Sequence, residues 1–164
     1  MRTIVLVGLA IAAVALTMWI APREKPATGL YAVHGARLVK IPPHAIRSLA
    51  VTYGGRRVAA LRTDAGWRID DRPAPEPQAK TLDDLVTTLV QLRAVDAFRT
   101  PDQAAFGFAD PGAVVDVATS HRTHHVVFGA LTHNGAAVYA RRDRDPRTFL
   151  VGSYLLSQLR RATE

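Results

Sequence analysis

A long apolar stretch stands at the start of the chain. Residues 3–21 carry neither a charge nor a proline. As a helix they would extend roughly 28 Å, close to the ~30 Å hydrocarbon core of a bilayer, where a helix satisfies its own backbone polar groups. The pattern predicts a membrane anchor over residues 1–22, a linker over residues 23–35 and one folded domain over residues 36–164.

A cleaved signal peptide is the alternative interpretation of this stretch. The apolar region of a signal peptide usually has about 7–15 residues and ends at a small-x-small site. This stretch is longer, and a cut after Ala21 would have the bulky Trp19 three residues back and Pro22 just after it, so we expect an uncleaved anchor.

The orientation of the anchor is not settled by its flanking charges. Arg2 lies on one side and Arg23 and Lys25 on the other, so the positive-inside rule gives no clear answer. A short N-terminal anchor before a large domain usually exports the domain. We therefore expect a single pass through the inner (cytoplasmic) membrane, with the domain facing the periplasm or the cell exterior.

Alternating apolar and polar positions predict antiparallel β-hairpins in the domain. The strand candidates are Leu38–Ile41, Ile46–Tyr53, Arg56–Thr63, Trp67–Asp70, Ala113–Thr119, His124–Phe128, Ala136–Arg142 and Arg147–Val151. Gly54 and Gly55 predict a two-residue hairpin turn. Trp67 is expected in the core, and the loop Thr100–Pro111 is expected to pack on the sheet through Phe106 and Phe108.

Helical spacing appears in two places. Apolar residues at intervals of three and four from Leu82 to Leu92 predict one main amphipathic helix lying on the strands. Its start is open between a capping box at Thr81 and Asp84 and a first-turn proline at Pro77. A short C-terminal helix is predicted over Gly152–Arg161, and the fold class is α+β.

The charge balance is basic, with 21 Lys and Arg against 14 Asp and Glu and a formal net charge of +7. Such an excess fits nucleic acid, anionic lipid or an acidic partner, or equally the arginine-rich composition of a high-GC genome, which we favour. An exported domain would not meet nucleic acid, so no nucleic-acid partner is expected. With no cysteine, disulfides and thiol chemistry are excluded.

An arginine cluster gives the candidate contact surface. Its members, Arg141, Arg142, Arg144 and Arg147, fall at one predicted hairpin. We expect them to project together toward anionic headgroups or an acidic partner. The alternative is a solvated turn in which Asp143 and Asp145 are their partners.

Catalytic and metal-binding patterns are weak. His121 and His125 are the metal candidates, but His124 and His125 are adjacent and would point to opposite faces of a strand, so a solvated hairpin tip is expected instead. Asp83 and Asp84 are explained by the dipole of a helix first turn. Walker A, HExxH and Rossmann glycine patterns are absent from the sequence. We expect no cofactor and no enzymatic activity.

Four segments together carry a resemblance to a known family. They are Gly66–Ile69, the helix at Leu82–Leu92, the segment Phe106–Pro111 and the hairpin strand Ala137–Arg141. In their order and spacing, over about residues 38–159, the chain resembles the membrane-associated proteins catalogued as domain of unknown function 4340.

The resemblance implies an N-terminally anchored, extracytoplasmic domain of the kind often encoded beside ABC-transporter components. It supplies no catalytic residues, and this chain is shorter than many relatives. We therefore expect a membrane-tethered, non-enzymatic accessory domain that binds another envelope protein, for which ABC-transporter subunits are candidates. The alternative is an envelope enzyme or small-ligand binder that acts on polysaccharide or lipid.

Overall fold

The computed structural model describes residues 35–100, 102 and 104–164. The strands are β1 Ser48–Tyr53, β2 Arg56–Thr63, β3 Gly66–Ile69, β4 Arg72–Pro73, β5 Asp96–Phe98, β6 Ala113–Ala118, β7 Thr123–Leu131, β8 Ala137–Arg142 and β9 Thr148–Gly152. The helices are α1 Glu76–Gln91 and α2 Tyr154–Thr163, and two 3₁₀ turns cover Pro43–Ala45 and Ala104–Phe106. The predicted anchor and all but the last residue of the predicted linker lie outside the described residues. Within those ranges, no helix has the length and apolar character needed to cross a bilayer.

All the strands join one antiparallel sheet in the order β4-β3-β2-β1-β6-β7-β8-β9-β5. The order divides into two four-stranded meanders, β1–β4 and β6–β9, and each meander is followed by a helix. The meanders meet at the β1–β6 pair, which runs from Ser48 opposite Ala118 to Tyr53 opposite Ala113. The α+β fold of antiparallel hairpins is confirmed, and the two halves are related in topology although the sequence shows no convincing repeat.

The alternating pattern explains which face of the sheet is buried. In β1, Leu49 and Val51 are each about 1% exposed. Ser48, Ala50 and Thr52, which alternate with them, are only partly buried. The predicted turn at Gly54 and Gly55 is also present. Its φ angles of 55° and 79° are the left-handed values that a type I′ turn requires at both central positions.

Both helices lie on the same face of the sheet. The buried residues of α1 are Leu82, Leu85, Val86, Leu89 and Val90, which confirms the predicted apolar spacing. Helix α2 buries Leu155 and Leu159 and packs on α1 and on β1 and β2. The helix of the second half therefore covers strands of the first half.

The start of α1 decides between the two predicted signals. The helix begins at Glu76 with Pro77 in its first turn, so the first-turn proline is confirmed and the capping box is wrong. The Thr81 hydroxyl instead donates to the carbonyl oxygen of Pro77 at 2.9 Å, within the helix. Asp83 and Asp84 consequently lie beyond the first turn, and the explanation by the helix dipole is wrong as well.

Asp83 has a packing role. Its carboxylate accepts a hydrogen bond from the Trp67 indole Nε1–H at 2.9 Å and one from Arg62 at 3.0 Å. The Arg62 guanidinium also lies 5.2 Å from the centre of the Trp67 ring. Trp67 is 4% exposed, as predicted, and it links α1 to the first meander.

Two short segments differ from the prediction. Leu38–Ile41 is not a strand, because Leu38, Val39 and Ile41 are all buried and the segment does not alternate. The Leu38 N–H instead donates to the carbonyl oxygen of Leu92, just after α1, at 2.9 Å. Strand β5 was not predicted, since three residues are too few to show a period of two. It pairs with β9 at the far edge of the sheet.

The loop before β6 packs on the sheet through its aromatic residues, as predicted, although both rings stay only partly buried. The Phe106 ring meets Tyr139 and Phe98 edge-on, with centroids 4.7 and 5.4 Å apart. A Cβ at Gly129 would lie 2.1 Å from the carbonyl oxygen of Phe106. The pairing of β7 with β8 shifts register at this point, between Phe128 and Leu131. Gly129 is therefore where the loop backbone rests on the sheet.

Gly129→Ala is expected to destabilise the protein by about 1–3 kcal/mol, because the added methyl group forces the loop backbone away from β7. Urea unfolding followed by Trp fluorescence measures the loss. Gly112→Ala is the matched control, since a Cβ there would lie 3.6 Å from its nearest neighbour, an ordinary contact. Equal stability of the two variants would show that the loop does not rest on Gly129.

Candidate functional site

The predicted arginine cluster is divided between the two faces of the sheet. Arg142 stands opposite Val126, which is fully buried on the helix side, and Arg141 stands opposite Val127. Consecutive strand residues point to opposite faces, so Arg141 lies on the other side, with its guanidinium 5.4 Å from the centre of the Phe108 ring. The four arginines do not project together, and that part of the expectation is wrong.

Asp145 holds two of the four arginines. Its carboxylate accepts hydrogen bonds from Arg142 Nη2 at 2.7 Å and Arg147 Nη2 at 2.8 Å, with further bonds from the Nε–H of each. Both guanidinium groups also lie over the Phe149 ring, at 4.9 and 5.1 Å from its centre. Arg142 and Arg147 are therefore structural cations of the β8–β9 turn.

Asp145 and Arg147 of this turn shift each other's pKa values. The hydrogen bond from Arg147 is the main cause that holds the pKa of Asp145 far below its usual 3.8, the Arg142 hydrogen bond adds to it, and partial burial opposes it. The same bond raises the pKa of Arg147. Asp145 is only 11% exposed, and a carboxylate there remains ionised because both guanidinium groups face it.

Arg142 also ties the turn to the segment that precedes β1. Its Nη1 donates to the carbonyl oxygens of Arg37 and Leu38 at 3.2 and 3.1 Å. This contact joins positions more than a hundred residues apart and brings Lys40 beside the turn. No local sequence pattern indicates such a meeting.

A cleft of about 430 Å³ opens where these segments meet. Buried Leu38, Val39 and Val126 supply its apolar lining, and the exposed cations Lys40, Arg122 and Arg144 supply its basic lining. Arg144 has a φ of 62°, which is uncommon for a residue other than glycine, asparagine or aspartate. The cleft is one of the concave sites at this end of the sheet.

The two adjacent histidines point to opposite faces, as predicted. His124 stands opposite buried Val117 on the helix side and lines the cleft. Burial chiefly lowers the pKa of His124, Arg122 and Arg142 lower it further, and Asp143 opposes them. His124 is therefore neutral at pH 7.

His125 lies on the open face with partners of its own. Its Nδ1 is 2.6 Å from Asp116 Oδ1, and the other Asp116 oxygen lies 3.8 Å from Arg57. His121 is an exposed residue of the β6–β7 turn. In the part of the chain that the structure describes, no three His, Asp or Glu side chains are grouped so as to hold a metal ion.

The comparisons with known proteins assign the family. The model of the family described as Domain of unknown function (DUF4340) matches residues 79–164. The chain belongs to this family. No curated protein and no solved structure matches it.

The DUF4340 match begins inside α1 and continues to the end of α2. It therefore includes the whole second meander, the Asp145 contacts and the side of the cleft that Arg122, His124 and Arg144 supply. Lys40 and the buried residues before β1 come from outside the matched segment. The cleft is thus completed by a part of the chain that the DUF4340 match does not include.

Asp145→Asn is expected to lower the free energy of unfolding at pH 7 by about 1–3 kcal/mol, because both arginines lose a charged acceptor. Asp143→Asn, on the same turn, is the control and should change stability little, since Asp143 is exposed and Asn keeps an acceptor for the His125 N–H.

The same contacts predict an acid dependence. The pKa of Asp145 is lower in the folded protein than in the unfolded chain. Its contribution is therefore complete above the unfolded pKa of about 4 and is lost as pH falls below it. Urea unfolding at pH 7, 5, 4 and 3 should show a smaller loss of stability in Asp145→Asn than in the unchanged chain. Parallel pH curves for the two would contradict this role of Asp145.

Proposed function

We propose that the protein is a membrane-tethered, non-enzymatic, extracytoplasmic accessory domain that binds another envelope protein. The observation that carries the proposal is the uncharged stretch at residues 3–21, followed by a domain with its own buried core. The stretch has the length of a bilayer-spanning helix. The chain belongs to DUF4340, and the resemblance drawn from the sequence implies an N-terminally anchored envelope domain, which supports the same assignment.

The sheet offers a rigid surface for a partner. Both helices cover one face, and the other face carries exposed Leu61 on β2 together with the charged groups of Arg57 and Asp116 and the imidazole of His125. Protein interfaces combine apolar residues with a polar rim, and this face presents both kinds of residue. ABC-transporter subunits are the partner class that the family resemblance implies.

The alternative function is that of an envelope protein that binds or acts on polysaccharide or lipid. One observation favours it, namely the cleft of about 430 Å³ beside the β8–β9 turn. That volume falls within the range of about 300–1,000 Å³ that is usual for small-molecule sites.

A fusion of alkaline phosphatase after Glu164 is expected to be active in cells, because the enzyme folds only after export and the anchor would place the C-terminus outside. Deletion of residues 1–22 from the same fusion is the control and should abolish activity. The unchanged fusion should also remain in the membrane fraction after alkaline extraction. An inactive phosphatase together with an active cytoplasmic reporter at the same position would overturn the topology.

The binding of a partner is tested on native membranes. After solubilisation in a neutral detergent, the full chain should migrate on a sizing column as a complex that contains a second envelope protein. Migration at the size of the chain in its micelle, with no second protein after mild cross-linking in cells, would contradict the accessory role.

A further inference from the structure

Three cations in the cleft come from three distant parts of the chain. Lys40 precedes β1, Arg122 lies in the β6–β7 turn, and Arg144 lies in the β8–β9 turn. Among the described residues, none of these three side chains makes a hydrogen bond or ion pair, although carboxylates lie nearby. Cations gathered in a concave site repel one another, and a bound anion relieves that repulsion.

The carboxylates of the cleft do not neutralise its positive charge. Asp145 is occupied by Arg142 and Arg147, so one negative charge faces two positive ones. Asp143 accepts the backbone N–H of His125 at 3.3 Å and is the remaining negative group in the lining. Arg142 is fixed by Asp145 and by two backbone carbonyls, so this one cation of the lining is held in place before any ligand arrives.

His124 adds a neutral hydrogen-bonding group among these cations. A neutral imidazole has one N–H donor and one acceptor nitrogen. Burial, and after it Arg122 and Arg142, disfavour its protonated form, and an anion beside it would oppose the effect of the two arginines. The site therefore combines several positive charges with the His124 imidazole, which can donate a hydrogen bond and can also take up a proton.

We propose that this cleft binds a phosphate group, free or as the monoester end of a larger molecule, through Lys40, Arg122, Arg144 and His124. A phosphate monoester carries close to two negative charges and three acceptor oxygens, which several convergent cations suit better than a single carboxylate would. The cleft is larger than a bare phosphate needs. Its apolar side, formed by Leu38, Val39 and Val126, can receive the organic part of an ester. All the residues that would bind the phosphate belong to the described domain.

The test measures binding of inorganic phosphate and of glycerol phosphate to the full chain in a neutral detergent by calorimetry. We expect a Kd of about 1 mM or tighter and roughly tenfold weaker binding by the triple variant Lys40→Gln, Arg122→Gln, Arg144→Gln. The charge-matched control is Arg56→Gln, Arg72→Gln, Arg99→Gln, which removes three exposed arginines outside the cleft and should bind as the unchanged chain does. Far-UV circular dichroism and urea unfolding confirm that both variants fold.

Vesicles distinguish the two sources of the phosphate. Vesicles of a zwitterionic lipid that contain phosphatidic acid present a monoester, and the same vesicles with phosphatidylglycerol at equal charge present a diester. Binding of glycerol phosphate in solution supports a soluble ligand, whereas binding to phosphatidic acid vesicles alone, lost in the cleft variant, supports a lipid headgroup. The proposal is overturned if the unchanged chain binds none of these probes, or if the control variant loses as much affinity as the cleft variant.

Discussion

The pairing of β1 with β6 is the constraint on which the rest of the domain depends. These strands are the only junction in the described sheet between a strand of the first meander and one of the second. The buried residues at the junction are Leu49 and Val51 on one strand and Ala113, Val115 and Val117 on the other. Because successive side chains alternate, a slip of one residue here would turn this apolar set away from the helices. The register of the junction thus sets which face of all nine described strands is the core.

The helices make the two halves interdependent. Helix α2 follows the second meander but packs on β1 and β2, so neither half closes its core without the other. Strand β5 reinforces this arrangement, because it follows α1 in sequence and yet pairs with β9 at the opposite edge of the sheet. The Asp145 contacts then act at one end of a sheet that is already fixed, where they hold the β8–β9 turn against the segment before β1.

Local patterns were sufficient for the hairpins and the helices. Each of these elements is indicated by a pattern of a few residues. The patterns are the alternation in β1 and β6, the glycines at 54 and 55, and the helical spacing from Leu82 to Leu92. The start of α1 stays open in the sequence for a local reason too, since Pro77 and Thr81 both carry helix-start signals and only the earlier one applies.

The cleft could not be predicted from local patterns. Lys40 and Arg122 are 82 positions apart in the sequence, and the β1–β6 pairing together with the contacts of Arg142 brings their segments together. The arginine cluster shows the opposite difficulty, because closeness in sequence suggested a common surface whereas the strand period separates Arg141 from Arg142. Asp145 was named in the sequence only as a partner in a solvated turn. Its burial follows from Phe149, whose ring supports both of its arginines.

Native-state hydrogen exchange on the full chain tests most directly whether the β1–β6 junction makes the two halves one cooperative unit. The amides of β1 and β6 that are hydrogen-bonded between the strands should exchange only through global unfolding. The most protected amides of β2 and of β7 and β8 should then share the free energy of those in β1 and β6, and the same dependence on denaturant. A second meander that opens at a clearly lower free energy than the first would contradict this account.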